Sequence, residues 1–380
     1  MAKFQTISED VQYWFIRSGN SGGKFFHHFK HNNVVALGHA DDIDFGFEDG
    51  HLLNKNDQGL IIGRTKIKFE QSGESPSQIA NKSNQVRRFV SMLKPGDIVV
   101  TINDEHIMAG TVRTPVYYGT VGLVSDTERK KSSKSPCYFN LRCGVTWGAT
   151  KSRGLMPLEL EKAFRFTGSI MQFADEAQIR DLNHWLYPVH LTENEIRCTL
   201  RINSREELSN RQLTRLSVFL DELELLASYI ERQLDGRNEY SIDEYRIFAD
   251  MHRETYQYSL KAQHLFMSPG HQFLQLGGSV RKSLVFGYLI MALLSGSADA
   301  ASNVDLPEQI SSLNNPIISH LVQQFGIDLH IEDIQDSLSV KLNTPSLPDV
   351  PADSENVSQE INSGDEHDGW GATESDNSAL

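Results

Sequence analysis

Residues 84–112 run NQVRRFVSML, KPGD, IVVTI and, after a short gap, IMAGTV. A helical period, a stop and two β-branched runs follow one another with almost nothing between them. Val86, Phe89, Val90 and Leu93 fall on one face of a helix. Lys94-Pro95-Gly96-Asp97 ends that helix and turns the chain. Residues 98–102 and 107–112 then read as strands, because β-branched side chains suit a pleated surface. A chain with this succession is committed to mixed helix and strand.

The rest of the first half agrees. Residues 34–37, ending at Gly38, form a short apolar run of the buried-strand kind, and residues 116–124 and 138–147 read as further strands. Between the last two lies a polar, basic loop at 126–135, and residues 175–186 carry a helix bearing Trp185. The second half opens with a capping box, Ser209-x-x-Gln212. Leu213, Leu216, Phe219, Leu220, Leu223, Leu226, Ala227, Ile230 and Leu234 follow at helical spacing, with Gly236 past the end. Ser241-x-x-Glu244 caps another helix, and Ser268-Pro269-Gly270-His271 reads as a hairpin turn. Residues 283–294 form an apolar helix, Asn315-Pro316 caps a helix through Phe325, and residues 327–331 alternate like a strand. The expected fold class is α+β, with domains at 1–190 and 195–343.

Residues 344–380 hold nine acidic side chains and no lysine or arginine. Such a segment cannot bury enough apolar surface to offset its chain entropy, so a disordered acidic tail is expected. The chain's formal charge of −14 is uneven. Residues 1–190 carry 23 Lys and Arg against 20 Asp and Glu, a balance of +3, while residues 191–380 carry −17. The front half can meet a polyanion that the back half would repel. Three cysteines without C-x-x-C spacing point to a reducing, cytoplasmic setting with buried thiols. The N-terminus shows no apolar signal region. The uncharged run at 283–298 is 16 residues long, short of the roughly 20 needed to span a bilayer. It reads as a core helix, with a membrane-acting effector as the alternative.

Motifs for catalysis fail on spacing. The stretch WFIRSGNSGGKF at 14–25 has Gly23-Lys24, but Ser18 and Phe25 occupy the P-loop's first-glycine and hydroxyl positions. Glycines at 19, 22 and 23 do not make the dinucleotide fingerprint. In the cluster His27, His28 and His31, the H-x-x-H spacing can place two imidazoles on one helical face, but no local carboxylate offers a third ligand and no supporting shell is evident, while Asp41, Asp42 and Asp44 read as a solvated loop. Arg246 and His252 have the spacing of a HEPN-type ribonuclease pair, the basis of a nuclease alternative for the C-terminal half. The late segment at 327–342 lacks the E-x-K of the PD-(D/E)xK kind. The sequence declares no enzyme and implies no cofactor or metal.

Four pieces in order carry a resemblance: Tyr13-Trp14-Phe15-Ile16-Arg17 with its glycine loop, the 34–38 strand, residues 84–100, and Met108-Ala109-Gly110-Thr111-Val112. Across residues 11–190 the chain resembles the EVE/PUA-like domains of modification-dependent restriction and phage-defence proteins. The resemblance implies a twisted β-barrel with flanking helices that accepts a flipped or modified base, DNA more than RNA. It implies stacking groups Trp14, Tyr118 and Trp147 and polar edges Ser18, Asn20, Asn84 and Gln85. Lys24, Arg87 and Arg88 would lie near phosphates, and His39 stands where many relatives carry tryptophan. The C-terminal module and its 209–234 helix would pass the signal to a protein partner or a second copy.

Overall fold

The computed structural model describes residues 2–8, 10–125, 136–153, 156, 158–192, 195–204, 207–234, 240–265, 270–295 and 304–347. The basic loop at 126–135 and the acidic stretch from residue 348 onward lie outside the described residues. The fold is mixed α+β. Its strands are β1 (Ala2–Lys3), β2 (Gln5–Thr6), β3 (Tyr13–Ile16), β4 (Val34–Leu37), β5 (Ile98–Ile102) and β6 (His106–Val112). They continue with β7 (Tyr117–Tyr118), β8 (Leu141–Trp147), β9 (Lys151–Ser152), β10 (Ile170–Gln172), β11 (Val189–Leu191) and β12 (Glu195–Ile202). The last are β13 (Lys261–Leu265), β14 (Gly270–Gly277), β15 (Val304–Asp305) and β16 (Val340–Leu342).

The first large sheet runs β10-β3-β5-β6-β8-β4, with β7 on β8 and β9 on β6. It curls into a half-barrel because β8 changes partners. Residues 141–144 pair with β4, whereas residues 145–147 pair with β6. Both faces are covered, which is why β3 is apolar throughout and β5 is interrupted only by the buried Thr101. Trp14, Ile16, Val99 and Met108 face a core with Phe26, Phe29 and Phe89. Tyr13, Phe15, Ile98 and Val100 face another with Phe164, Trp185 and Leu186. The helix at Pro76–Arg87, capped by Ser75, passes into a π-turn at Arg88–Met92 and buries Val86, Phe89 and Val90 against the first core.

One carboxylate ties the turn to the sheet. Asp97 is fully buried, and its Oδ2 accepts from Trp14 Nε1 at 2.9 Å and from the Lys94 amide at 3.1 Å. Its Oδ1 accepts from the Gln12 amide at 3.2 Å. These bonds lock the KPGD turn against the parallel β3–β5 pair.

The second sheet runs β13-β14-β12-β11-β2, with β16 also on β12. The Asn210–Gln233 helix, closed by the expected Ser209–Gln212 capping box, packs with the Val280–Leu294 helix over this sheet. The leucine stripe is consumed within this core: Leu216, Phe219, Leu220, Leu223, Leu226 and Ile230 are all buried. Glu224 lies buried among them because Lys282 Nζ at 2.6 Å, the Ser259 amide and hydroxyl, and the Leu260 amide all reach it. No described helix is long and apolar enough to cross a membrane. Residues 327–331, expected as a strand, instead end the Pro316–Asp328 helix and enter the Ile331–Leu338 helix. His330, at φ 50°, makes the turn between them. Alternation over five residues is too short to separate a strand from a helix junction.

The chain's beginning belongs with the second sheet, where β2 lies parallel to β11 and β1 pairs with β15. Past Thr344 the backbone is still packed. Ser346 is fully buried and donates from its amide to the Leu186 carbonyl and from its hydroxyl to the Trp185 carbonyl.

His184 and His190 are buried where the Glu176–Leu186 helix meets the second sheet, with ring centroids 5.4 Å apart. The Thr199 hydroxyl donates to the His184 carbonyl, so it accepts from His184 Nδ1 at 3.1 Å, and the His184 ring stacks on Phe273.

Two outcomes follow from these buried polar groups. Asp97→Ala strands the Trp14 indole and Lys94 amide donors and should cost about 3 kcal/mol in urea denaturation of the full chain. Burial holds the pKa of His184 at about 2 and that of His190 at about 3. The unfolded chain therefore takes up their protons first, below about pH 6.5. Stability from the pair is complete above that pH and is lost as pH falls toward the folded values. The pH 7-to-5 loss of Tm should be smaller in His190→Leu than in the wild type.

Candidate functional site

The best-formed polar cluster at the half-barrel lies between its β3–β10 edge and the Pro76–Arg87 helix. Gln85, on the buried side of that helix, accepts the Ser169 amide at 2.5 Å on Oε1, and its Nε2 donates to Asn81 Oδ1 at 3.2 Å. His39, in the loop after β4, brings Nε2 to within 3.4 Å of Gln85 Oε1. Arg17, the residue after β3, donates from Nη2 to the Phe166 carbonyl, and its amide donates to the Ser169 carbonyl at 2.9 Å. Its buried Nε has no acceptor among the described residues. Gly168 lets the chain turn here. A Cβ at that position would meet the Phe166 ring at 2.3 Å.

Aromatic and cationic groups surround this cluster. The Phe69 ring stands edge-on to His39 at 6.3 Å, and Lys82 Nζ lies 5.1 Å from the same ring while pairing with Glu74 at 2.5 Å. His39 is half-buried. Burial lowers its pKa, the Gln85 bond raises it, and Lys82 and Lys68 lower it against an opposing effect of Glu74. Lys68 also pairs with Asp42 at 2.9 Å in an adjoining groove of about 340 Å³. That groove is lined by Asp42, Ile43, Asp44, Arg64, Ile67 and Lys68, together with Gln71. Neither His39 nor Gln85 lines it. Behind His39, burial raises the pKa of Asp41 to about 6.

The residues implied by the resemblance do not all fall at one place. Gln85 and His39 meet. Asn84 and Arg87 sit exposed on the same helix, with Arg88 half-buried at the start of the π-turn. Asn20 and Lys24 are exposed on the glycine segment, and Lys24 Nζ lies 5.0 Å from the Phe25 ring.

Trp14, Tyr118 and Ser18 are corrections. Trp14 is fully buried and spent on Asp97, so it offers no face for stacking. Tyr118 is buried against Phe45 and Phe47. The Ser18 hydroxyl is buried and donates to the Ile102 carbonyl at 3.1 Å. Trp147 is half-buried, with its Nε1 donating to the Phe29 carbonyl at 3.0 Å.

The glycine segment is also explained by packing. Residues Asn20–Gly23 form one helical turn. At Gly22 and Gly23, both at positive φ, a Cβ would fall 2.1 Å from the Asp104 carboxylate and 2.4 Å from the Ile102 carbonyl. These glycines let the segment close onto the β5–β6 turn.

Sequence reasoning missed Phe69, Lys82, Arg17 as a neighbour of residues 166–169, and Ser169. The Lys55–Gln71 helix that carries Phe69 buries only Ile61, Thr65 and Phe69, at four-residue spacing. Its legible signal was the Asn54–Asp57 capping box. On the Ile242–His252 helix, Arg246 pairs with Asp243 and Asp328, and His252 Nδ1 lies 2.8 Å from the Phe248 carbonyl. No group of three or more metal-ligating side chains occurs among the described residues.

Lys82→Met should raise the His39 pKa toward 6.5, and Gln85→Leu should lower it further, as read by histidine NMR titration of the full chain. Opposite signs would contradict the arrangement around the ring. Comparison with protein-family models, curated proteins and solved structures finds no match.

Proposed function

We propose that the protein is a nucleic-acid-binding sensor in which the polar cluster between the half-barrel and the Pro76–Arg87 helix receives a flipped or modified base. The observation that carries this reading is the His39–Gln85–Ser169 cluster, in which His39 and Ser169 are half-buried and Gln85 is buried, with Lys68 and Lys82 near His39. A base removed from its stack needs polar groups for its edge, aromatic surface and nearby cations for its phosphates. The polar groups and the cations occur here together, with the buried Phe69 ring behind His39. Arg87 and Arg88 lie on the same helical element and extend the positive charge. DNA is the favoured ligand, and the EVE/PUA-like resemblance supplies the phage-defence setting. The nuclease alternative would rest on Arg246, which pairs with Asp328, and on His252, whose Nδ1 lies beside the Phe248 carbonyl.

In this reading, the second sheet and its helices convey binding to a protein partner or second copy. The leucine stripe is already buried, so any interface made by the Asn210–Gln233 helix must use its outer face, where Val218 is exposed.

The test uses the full chain, because β2 pairs with β11 and β11 with β12, beyond residue 190. Binding to DNA and RNA oligonucleotides, plain and base-modified, is measured against salt. The expected result is salt-sensitive binding. Arg87→Ala with Arg88→Ala should reduce the log–log slope by about 0.7–0.9 for each phosphate that is no longer neutralised. Absence of binding to every oligonucleotide at low salt rejects the proposal.

A further inference from the structure

We propose that His39 selects the base by offering a bare imidazole acceptor, Nδ1, to an amino group on the base edge. The site would then prefer amino-bearing bases of the adenine or cytosine type over keto bases. This rests on the nucleobase-binding reading above and adds to it a chemical class of ligand.

The side-chain amide of Gln85 is oriented from both ends. The Ser169 amide donates to Oε1, and the Gln85 Nε2 donates to Asn81 Oδ1. The atom facing His39 is therefore a carbonyl oxygen, which accepts hydrogen bonds and cannot donate them. Its approach to His39 Nε2 requires the proton on Nε2. In a neutral imidazole, that assignment leaves Nδ1 with a lone pair. The surroundings keep the ring neutral: burial, Lys82 and Lys68 disfavour the charged form, against Gln85 and Glu74. Nδ1 makes no hydrogen bond to any described residue.

The consequence is a difference between closely matched bases. An exocyclic amino group donates to Nδ1, whereas a keto oxygen brings one acceptor against another in a partly desolvated place. Leaving such groups unpaired opposes binding more strongly than one good hydrogen bond favours it. The expected preference is about tenfold for a single such hydrogen bond.

The test is fluorescence anisotropy of the full chain with short labelled single-stranded oligonucleotides that differ only at a central base. Adenine is compared with hypoxanthine, cytosine with uracil, and 5-methylcytosine with thymine. The proposal expects the amino member of each pair to bind about tenfold more tightly. His39→Ala should reduce the difference below about twofold while preserving the salt slope, because the groups that meet phosphates remain. His39→Gln, whose amide carries both a donor and an acceptor, should bind members of each pair alike. Circular dichroism of each variant checks that the fold is intact.

Equal or tighter binding of keto bases by the wild type overturns the proposal, as does undiminished discrimination in His39→Ala. Either result leaves nucleic-acid binding itself standing. Failure of the wild type to bind any of these oligonucleotides removes this inference together with the reading on which it rests.

Discussion

The buried carboxylate of Asp97 organises the half-barrel. It replaces lost hydration with three hydrogen bonds, from Trp14, Lys94 and Gln12. Burial still raises its pKa, so those donors only partly offset the cost of desolvation. The arrangement fixes where the helix stops, where β5 begins and how β3 lies beside it. From β3 the chain delivers Arg17 to residues 166–169, and from the same turn the Pro76–Met92 helical element runs back with Gln85 on its inner face. The candidate site thus inherits its geometry from a core interaction on neighbouring elements.

Much of this architecture was legible where a local rule acts alone. Ser75 was not recognised as a helix start, yet the run from Val86 to Leu93 and the stop at KPGD were, because apolar period and turn chemistry need no tertiary knowledge. Ser209–Gln212 and Asn315 were equally plain as caps. The Lys55–Gln71 helix was missed because its buried stripe is narrow and includes Thr65. The 327–331 segment misled because two helices meet there at a left-handed residue, giving a short run that alternates by accident.

The site was less legible than the fold, for a physical reason. An aromatic residue in a strand carries no mark of which face it will occupy or of how fully that face is covered. Both faces of the half-barrel are buried, so Trp14 and Tyr118 became core instead of platform. Gln85 and His39 are 46 residues apart and meet only because the loop after β4 passes the helix. Ser169 contributes a backbone amide, which side-chain pattern cannot reveal.

The central claim is that a base edge is read at the His39–Gln85–Ser169 cluster. Its most direct measurement is an NMR titration of the isotope-labelled full chain with a short oligonucleotide, following the His39 ring, the Gln85 side-chain amide and the Ser169 backbone amide. The account predicts that these signals shift together and saturate at one affinity, with smaller changes at Arg87 and Lys82. Shifts confined to another surface, such as the groove lined by Arg211, Arg215 and Val218, with those three signals unmoved, would contradict it.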